Sequence, residues 1–192
     1  MATVSTTPPD AVDPATELVA LYDPRDPAGR VTGRAPRREV RTRNLPHAAT
    51  GVLLRDDRGR VLVHRRTTAK DLNPGAHDCL AGGVVDAGET PLAAAHRELR
   101  EELGLDVDPG TGLRPVLVRW YRDETAHYLA HVYEARWDGT PLVLQPSEVA
   151  DAWWEETSTL RRRLLDSTWS FVPDTRELLA HWPEWWKDPA RP

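Results

Sequence analysis

The chain has 192 residues, a formal net charge of −5, one cysteine and 40% apolar residues. That length supports one substantial core, the negative charge argues against general nucleic-acid binding, and Cys79 alone forms no internal disulfide. With no apolar run of about 18 residues and no signal-like opening, a cytoplasmic location without membrane attachment is expected. Residues 1–15, rich in Thr, Pro, Ala and Asp and without apolar periodicity, are expected to be a disordered tail.

From there, Glu17 to Tyr22 reads as a strand, DPRDPAG as a turn, Arg30 to Gly33 as the short partner strand, and PRREVRTRNL as a short helix. Ala48 to Arg55 and Arg60 to Arg66 read as strands about a DDRG turn, a hairpin signal. Leu80 to Val85 is expected to be a strand leading into a glycine-rich loop. Arg114 to Arg122, His127 to Trp137 and Ala150 to Glu156 follow as strands, then helices near Ser158 to Asp166 and Asp174 to Trp182. Residues 16–166 are expected to form one domain, with 167–192 a Trp-rich helical extension that packs on it or forms a homodimer contact.

The most informative segment is GVVDAGETPLAAAHRELREELGL, Gly83 to Leu105. Thr90 can cap a helix, Pro91 suits its first turn, and Gly104 can stop it in a left-handed conformation, so the spacing predicts a helix over Pro91 to Leu103. Leu92, Leu99 and Leu103 share one face, and Glu98, Glu101 and Glu102 share another. Like charges at i,i+3 and i,i+4 cost a helix roughly 0.2–0.5 kcal/mol per pair. Arg97 can pair with Glu101, but no Lys or Arg stands four residues from Glu98 or Glu102 within the helix. An oxygen-rich cluster of this density suits a hard cation that keeps some of its waters, Mg²⁺ or Mn²⁺, rather than zinc.

The segment resembles the Nudix box: G, five residues, E, seven residues, REU, one residue, EE, one residue, GU, with U bulky and apolar. Gly83, Glu89, Arg97, Glu98, Leu99, Glu101, Glu102, Gly104 and Leu105 match every specified position. The resemblance implies an α/β fold, an α/β/α sandwich with a mixed β-sheet and a loop-helix-loop catalytic motif. It also implies metal-dependent hydrolysis of a small-molecule diphosphate linked to another group X. Carried onto this chain, Glu98, Glu101 and Glu102 bind metal with the Gly83 carbonyl, while Glu89 and Arg97 hold the platform together. Such a reaction needs cations to neutralise the diphosphate and acidify a water, and a general base within reach of that water. In the family the base lies inside the box or outside it, which leaves Glu101 and Glu148 as candidates.

Upstream, the strand near Val19, the basic segment, LPHAATGVLL and HRRTTAKDLNPG are similar in order to the isopentenyl diphosphate isomerase branch of that superfamily. The similarity implies a diphosphate grip by Arg66 and Lys70, chemically sensible for a guanidinium and an ammonium. Three departures disfavour isomerase chemistry. Gly82 stands where those enzymes carry a catalytic cysteine, Tyr128 where they carry an acid, and the box keeps Glu98 where theirs has a basic residue; Val84 also replaces their histidine ligand. The remaining alternative, a catalytically silent diphosphate-binding module, is disfavoured by the intact box. His47, His127 and His131 read as structural, Cys79 as a small buried residue, and Trp120, Tyr121 and Tyr128 as packed aromatics with the chemistry to stack a base.

Overall fold

Alternation along two neighbouring strands divides the protein into two cores. In β3 (His47–Arg55) Leu53 faces one side while Val52 and Leu54 face the other, and in β4 (Val61–Arg66) Val61 and Val63 oppose Leu62. A strand buried on both faces needs cover on both, and the computed structural model, which describes residues 16–26, 29–108, 110 and 112–186, supplies it. The expected tail, residues 1–15, lies outside the described residues, as do 187–192 of the expected extension.

The other strands are β1 (Leu18–Tyr22), β2 (Val31–Pro36), β5 (His77–Asp78), β6 (Leu80–Ala81), β7 (Arg114–Arg122), β8 (His127–Arg136) and β9 (Val149–Glu155). The helices are α1 (Arg37–Thr42), α2 (Pro91–Leu103), α3 (Thr157–Leu165), α4 (Pro173–Ala180) and α5 (Pro183–Trp186). β3 pairs parallel with β8 along its whole length, from His47↔Tyr128 to Arg55↔Arg136. The antiparallel neighbours complete a mixed sheet: β1 with β2 and β3, β7 with β8, β4 with β5 and β9. β3 and β4 meet only at Arg55↔Val61, beside the turn. There Asp56 accepts from the Arg58 and Arg60 amides and the Arg60 guanidinium, while Gly59 takes a φ of 78°. The hairpin expected from DDRG therefore forms, but its strands diverge at once.

Helix α2 covers the face that carries Val52, Leu54 and Leu62. It has the expected ends: Thr90 Oγ1 accepts from the Ala93 amide at 3.1 Å, and Gly104 stops it at φ 66°. Leu92 departs from expectation. It is exposed, and the buried stripe is Ala94, Ala95, Glu98, Leu99, Glu102 and Leu103. Small Ala94 and Ala95 bring the helix close to the sheet, and that closeness buries two of the three glutamates of the other face, Glu98 and Glu102. The segment Leu80 to Val85 also differs: only Leu80–Ala81 forms a strand, followed by isolated bridges of Val84 to Ala49 and Asp86 to Val19.

The opposite face is covered by α3, α4 and α5. Trp182 and Trp185 are buried in one cluster with Leu53, Val61, Val63 and Leu160. Cationic Arg55 and Arg161 lie over the Trp185 ring at 5.3 and 5.7 Å. The helix expected near Asp174 to Trp182 is α4, which ends at Ala180, and a separate turn, α5, starts at Pro183. Because Trp185 is wholly buried, Trp185→Ala is expected to lower unfolding free energy by about 3–5 kcal/mol in a denaturant titration. A change below about 0.5 kcal/mol would mean that its ring is not part of the core.

Candidate active site

The loop between β6 and α2 is shaped by two glycines in close contact with their neighbours. A Cβ on Gly82 would lie 2.1 Å from the Thr50 carbonyl oxygen and 2.8 Å from the Gly51 Cα. No side chain fits there, so the position aligned with the isomerase cysteine cannot hold one without moving β3. A Cβ on Gly83 would lie 2.4 Å from Glu98 Oε1. The absent side chain leaves room for the carboxylate, while the Gly83 carbonyl accepts from the Thr50 amide at 2.8 Å.

Arg97 organises the acids. Its Nε and Nη2 donate to the two oxygens of Glu89 at 3.1 and 3.0 Å, and Nη2 also donates to the Val84 carbonyl at 3.1 Å. Its Nη1 donates to Glu98 at 2.7 Å and Glu101 at 3.2 Å. The glutamates that look unpaired in sequence thus share one guanidinium, except Glu102, whose Oε2 accepts from the Gly82 amide at 3.2 Å. Burial works against the Arg97 charge, but its bonds to Glu89 and the nearness of Glu98 outweigh that and hold it protonated.

Glu98 and Glu102 are 9% and 6% exposed. Burial raises the Glu98 carboxyl, with Arg97 opposing; burial and then the charge of Glu98 push Glu102 up to about 8, with Lys70 opposing. Two desolvated carboxylates beside each other are a donor set that a hard cation would satisfy. Among the described residues, however, no group of three or more His, Cys, Asp or Glu side chains converges to hold a metal ion, and Arg97 Nη1 bonds to both Glu98 and Glu101. Glu101 is the most exposed of the three, with a half-exposed side chain.

Gly82, Gly83 and Val84 line a cavity of about 180 Å³. Arg66 and Lys70 both line it, so the structure brings them to the loop that carries Gly83. The Lys70 ammonium pairs with Glu148, which draws that residue to the same edge. Burial and then Arg66 lower Lys70 to about 8, with Glu102 opposing. Two further cations at the cavity, Arg37 and Arg41, were not singled out from sequence. Their i,i+4 spacing within PRREVRTRNL was the available signal, since one turn of helix aligns them. His47 also lines the cavity, with its ring bonded to the Leu45 carbonyl at 2.9 Å. His127 packs against Trp120, and His131 is half-buried on β8 outside the cavity.

The NUDIX domain family model matches residues 45–185. The chain belongs to the Nudix hydrolase family. The uncharacterized Nudix hydrolase orf19 of Rhodococcus erythropolis is 44% identical over 180 residues, 88% of this chain and 93% of the relative. One from Streptomyces coelicolor is 38% identical over 89% of this chain and 91% of its own length. A crystal structure of a Deinococcus radiodurans protein aligns with a TM-score of 0.72 at 28% identity, covering 86% of this chain and 99% of that one. The expected Nudix α/β fold is therefore present, and the chain is a Nudix hydrolase, an enzyme of pyrophosphate-bond hydrolysis. Nudix hydrolases generally require a divalent metal. No helix among the described residues is long and apolar enough to cross a membrane.

The two glycines predict different lesions. Gly82→Ala forces backbone against side chain and is expected to destabilise the fold by about 1–3 kcal/mol. Gly83→Ala displaces the Glu98 carboxylate instead, so the protein should melt normally while hydrolysis falls by about 100-fold; equal activity would mean that this carboxylate need not stand at Gly83. Glu102 predicts a pH effect. Its folded pKa lies above the ordinary 4.5, so its contribution is most favourable below that value and is lost as pH rises toward 8. Metal-free Glu102→Gln should melt several degrees above wild type near pH 9 and about equally near pH 4. A gap that did not change with pH would contradict the burial of this carboxylate.

Proposed function

We propose that this Nudix hydrolase cleaves a phosphoanhydride bond in a nucleoside diphosphate linked to X, or in a related organic diphosphate, with Mg²⁺ or Mn²⁺. The observation that carries this is the buried Glu98 and Glu102 pair directly behind a loop whose front lines a cavity bordered by four cationic side chains. When bound, the metal neutralises diphosphate oxygens and lowers the pKa of a water. Glu98, Glu101, Glu102 and the Gly83 carbonyl are its proposed ligands. Arg66 and Lys70, joined by Arg37 and Arg41, hold the diphosphate; Arg66 also donates to the Leu72 carbonyl at 3.1 Å, which fixes its fork. Arg97 acts through the acids that it positions.

Glu101 and Glu148 are the two carboxylates proposed for the general base. Each is oriented by a cation, Glu101 by Arg97 and Glu148 by Lys70, as a base that must stand within reach of the water requires. An isomerase is the poorer reading because Gly82 has no space for the cysteine that such chemistry needs.

The test is a screen of nucleoside triphosphates, nucleotide sugars, dinucleoside polyphosphates, coenzymes and isoprenoid diphosphates with each metal, identifying both products. Glu98→Gln and Glu102→Gln should each lower metal-dependent product release by at least about 10³-fold while the protein stays folded. Full activity in both would remove these residues from the metal site. Glu101→Gln and Glu148→Gln, compared across pH, separate the two base candidates, since only loss of the base removes the acidic limb of the rate profile.

A further inference from the structure

The cavity in front of the loop has two chemically opposite ends. Its more exposed border carries Arg37, Arg41, Arg66 and Lys70. Its buried wall comes from three elements distant in sequence: Asp78 at the end of β5, Tyr128 on β8, and Asp174 and Thr175 on α4. Ala130 and Leu178 line the same cavity. A volume of about 180 Å³ is below the roughly 300–1,000 Å³ of a drug-sized pocket. It equals about six waters at ~30 Å³ each, enough for one ring or a short chain.

The hydrogens of this wall are already committed. The Tyr128 hydroxyl donates to Asp174 Oδ2 at 2.6 Å, and the Thr175 amide donates to Asp174 Oδ1 at 2.9 Å. The Thr175 side chain hydrogen-bonds to Asp78, whose Oδ1 also accepts from the Cys79 and Leu80 amides at 2.7 and 3.1 Å. A tyrosine has one hydroxyl proton and a carboxylate has about four acceptor positions. With Asp78 and Asp174 ionised, a state that burial shifts toward higher pH, what the wall offers inward is acceptors: spare lone pairs on two carboxylates and on the Tyr128 oxygen. A ligand end that fills the cavity must bring donors, because a hydrocarbon there displaces water and leaves buried acceptors unmatched.

We propose that this wall selects the group X: a small moiety whose far end donates hydrogen bonds through hydroxyl or amine groups, with hydrocarbon X groups rejected. The proposal deepens, and rests on, the diphosphate-hydrolase reading, with the cations holding the diphosphate while Asp174 and Asp78 meet the other end. Asp174 is the specificity residue, since it lies on the wall rather than among the groups that hold the diphosphate. Sites built to hydrogen-bond a substrate discriminate strongly against analogues that lack the donor.

The test is calorimetric binding to the full chain with Mg²⁺, using non-cleavable methylenediphosphonate analogues of three five-carbon diphosphates: ribose 5-diphosphate, 5-aminopentyl diphosphate and isopentyl diphosphate. The ribose or aminopentyl analogue should bind at least about tenfold more tightly than the isopentyl one, and whichever leads names the donor. Asp174→Asn, nearly isosteric, should remove most of that preference and leave isopentyl binding unchanged. Equal affinity of all three for the wild-type chain overturns the proposal without recourse to any variant, as does a preference that Asp174→Asn and Asp174→Leu both retain in folded protein. Product release from the parent diphosphates is followed in parallel. Cleavage without a binding preference overturns the selective wall and leaves the hydrolase reading standing. A binding preference without cleavage of any diphosphate supports the wall and removes the hydrolase reading.

Discussion

One guanidinium holds α2 and the loop before it together. Arg97 reaches from the middle of α2 back to Glu89 and the Val84 carbonyl, and sideways to Glu98 and Glu101. The first two contacts tie helix to loop, and the last two orient acids that would otherwise repel each other. A planar fork with five donors can make all these bonds from one position, which a lysine cannot do. The arrangement still leaves more negative charge than one cation balances. Glu102 lies outside Arg97's reach, buried against the Gly82 amide, and it is the carboxylate whose pKa is pushed furthest upward within the box.

The second constraint is the closeness of the loop to β3. Gly82 lies against the Thr50 and Gly51 backbone with no space for a Cβ, and Gly83 lies against Glu98. β6 therefore stops after Ala81, and the chain leaves the ladder so that the loop can face both ways. Its rear contacts the acids and its front lines the cavity. A regular strand through Val85 would have kept the glycines in the sheet and separated these two surfaces.

Much of this was legible in the sequence because it is local. The nine box positions, the Thr90 cap, Pro91 and the Gly104 stop lie within one short stretch, and α2 has the expected bounds. The longer strands and their approximate limits also followed from alternation, whereas β5 was not expected and β6 is shorter than the Leu80 to Val85 strand read from sequence. The burial of Glu98 and Glu102 did not, because hydrophobic periodicity assigns charged residues to solvent and cannot see that Ala94 and Ala95 bring the helix close to the sheet. Leu92 was misplaced for the same reason. The basic pair Arg66 and Lys70 was found through resemblance, whereas Arg37 and Arg41 belong to a short helix that says little about its destination. The inner wall was the least legible part. Asp78, Tyr128 and Asp174 meet because His77 of β5 bonds to Ser170 and Val172 just before α4, while Tyr128 reaches Asp174 from β8, and no sequence spacing encodes that meeting.

The stretch after Gly139 shows how closely distant parts of the catalytic region are tied together. The Val143 amide donates to the Leu103 carbonyl and the Gln145 amide to the Glu102 carbonyl, so the last turn of α2 finds its missing partners in a later segment. Three residues further on stands Glu148, paired with Lys70. The segment is thus a ruler of fixed length between the carbonyl of one acid and the side chain of another. Insertions are tolerable at the exposed turn around Gly139, where nothing is measured, but one residue added between Gln145 and Glu148 would carry that carboxylate away from Lys70. The length of this chain is therefore free on the Gly139 side of Val143 and fixed on the other.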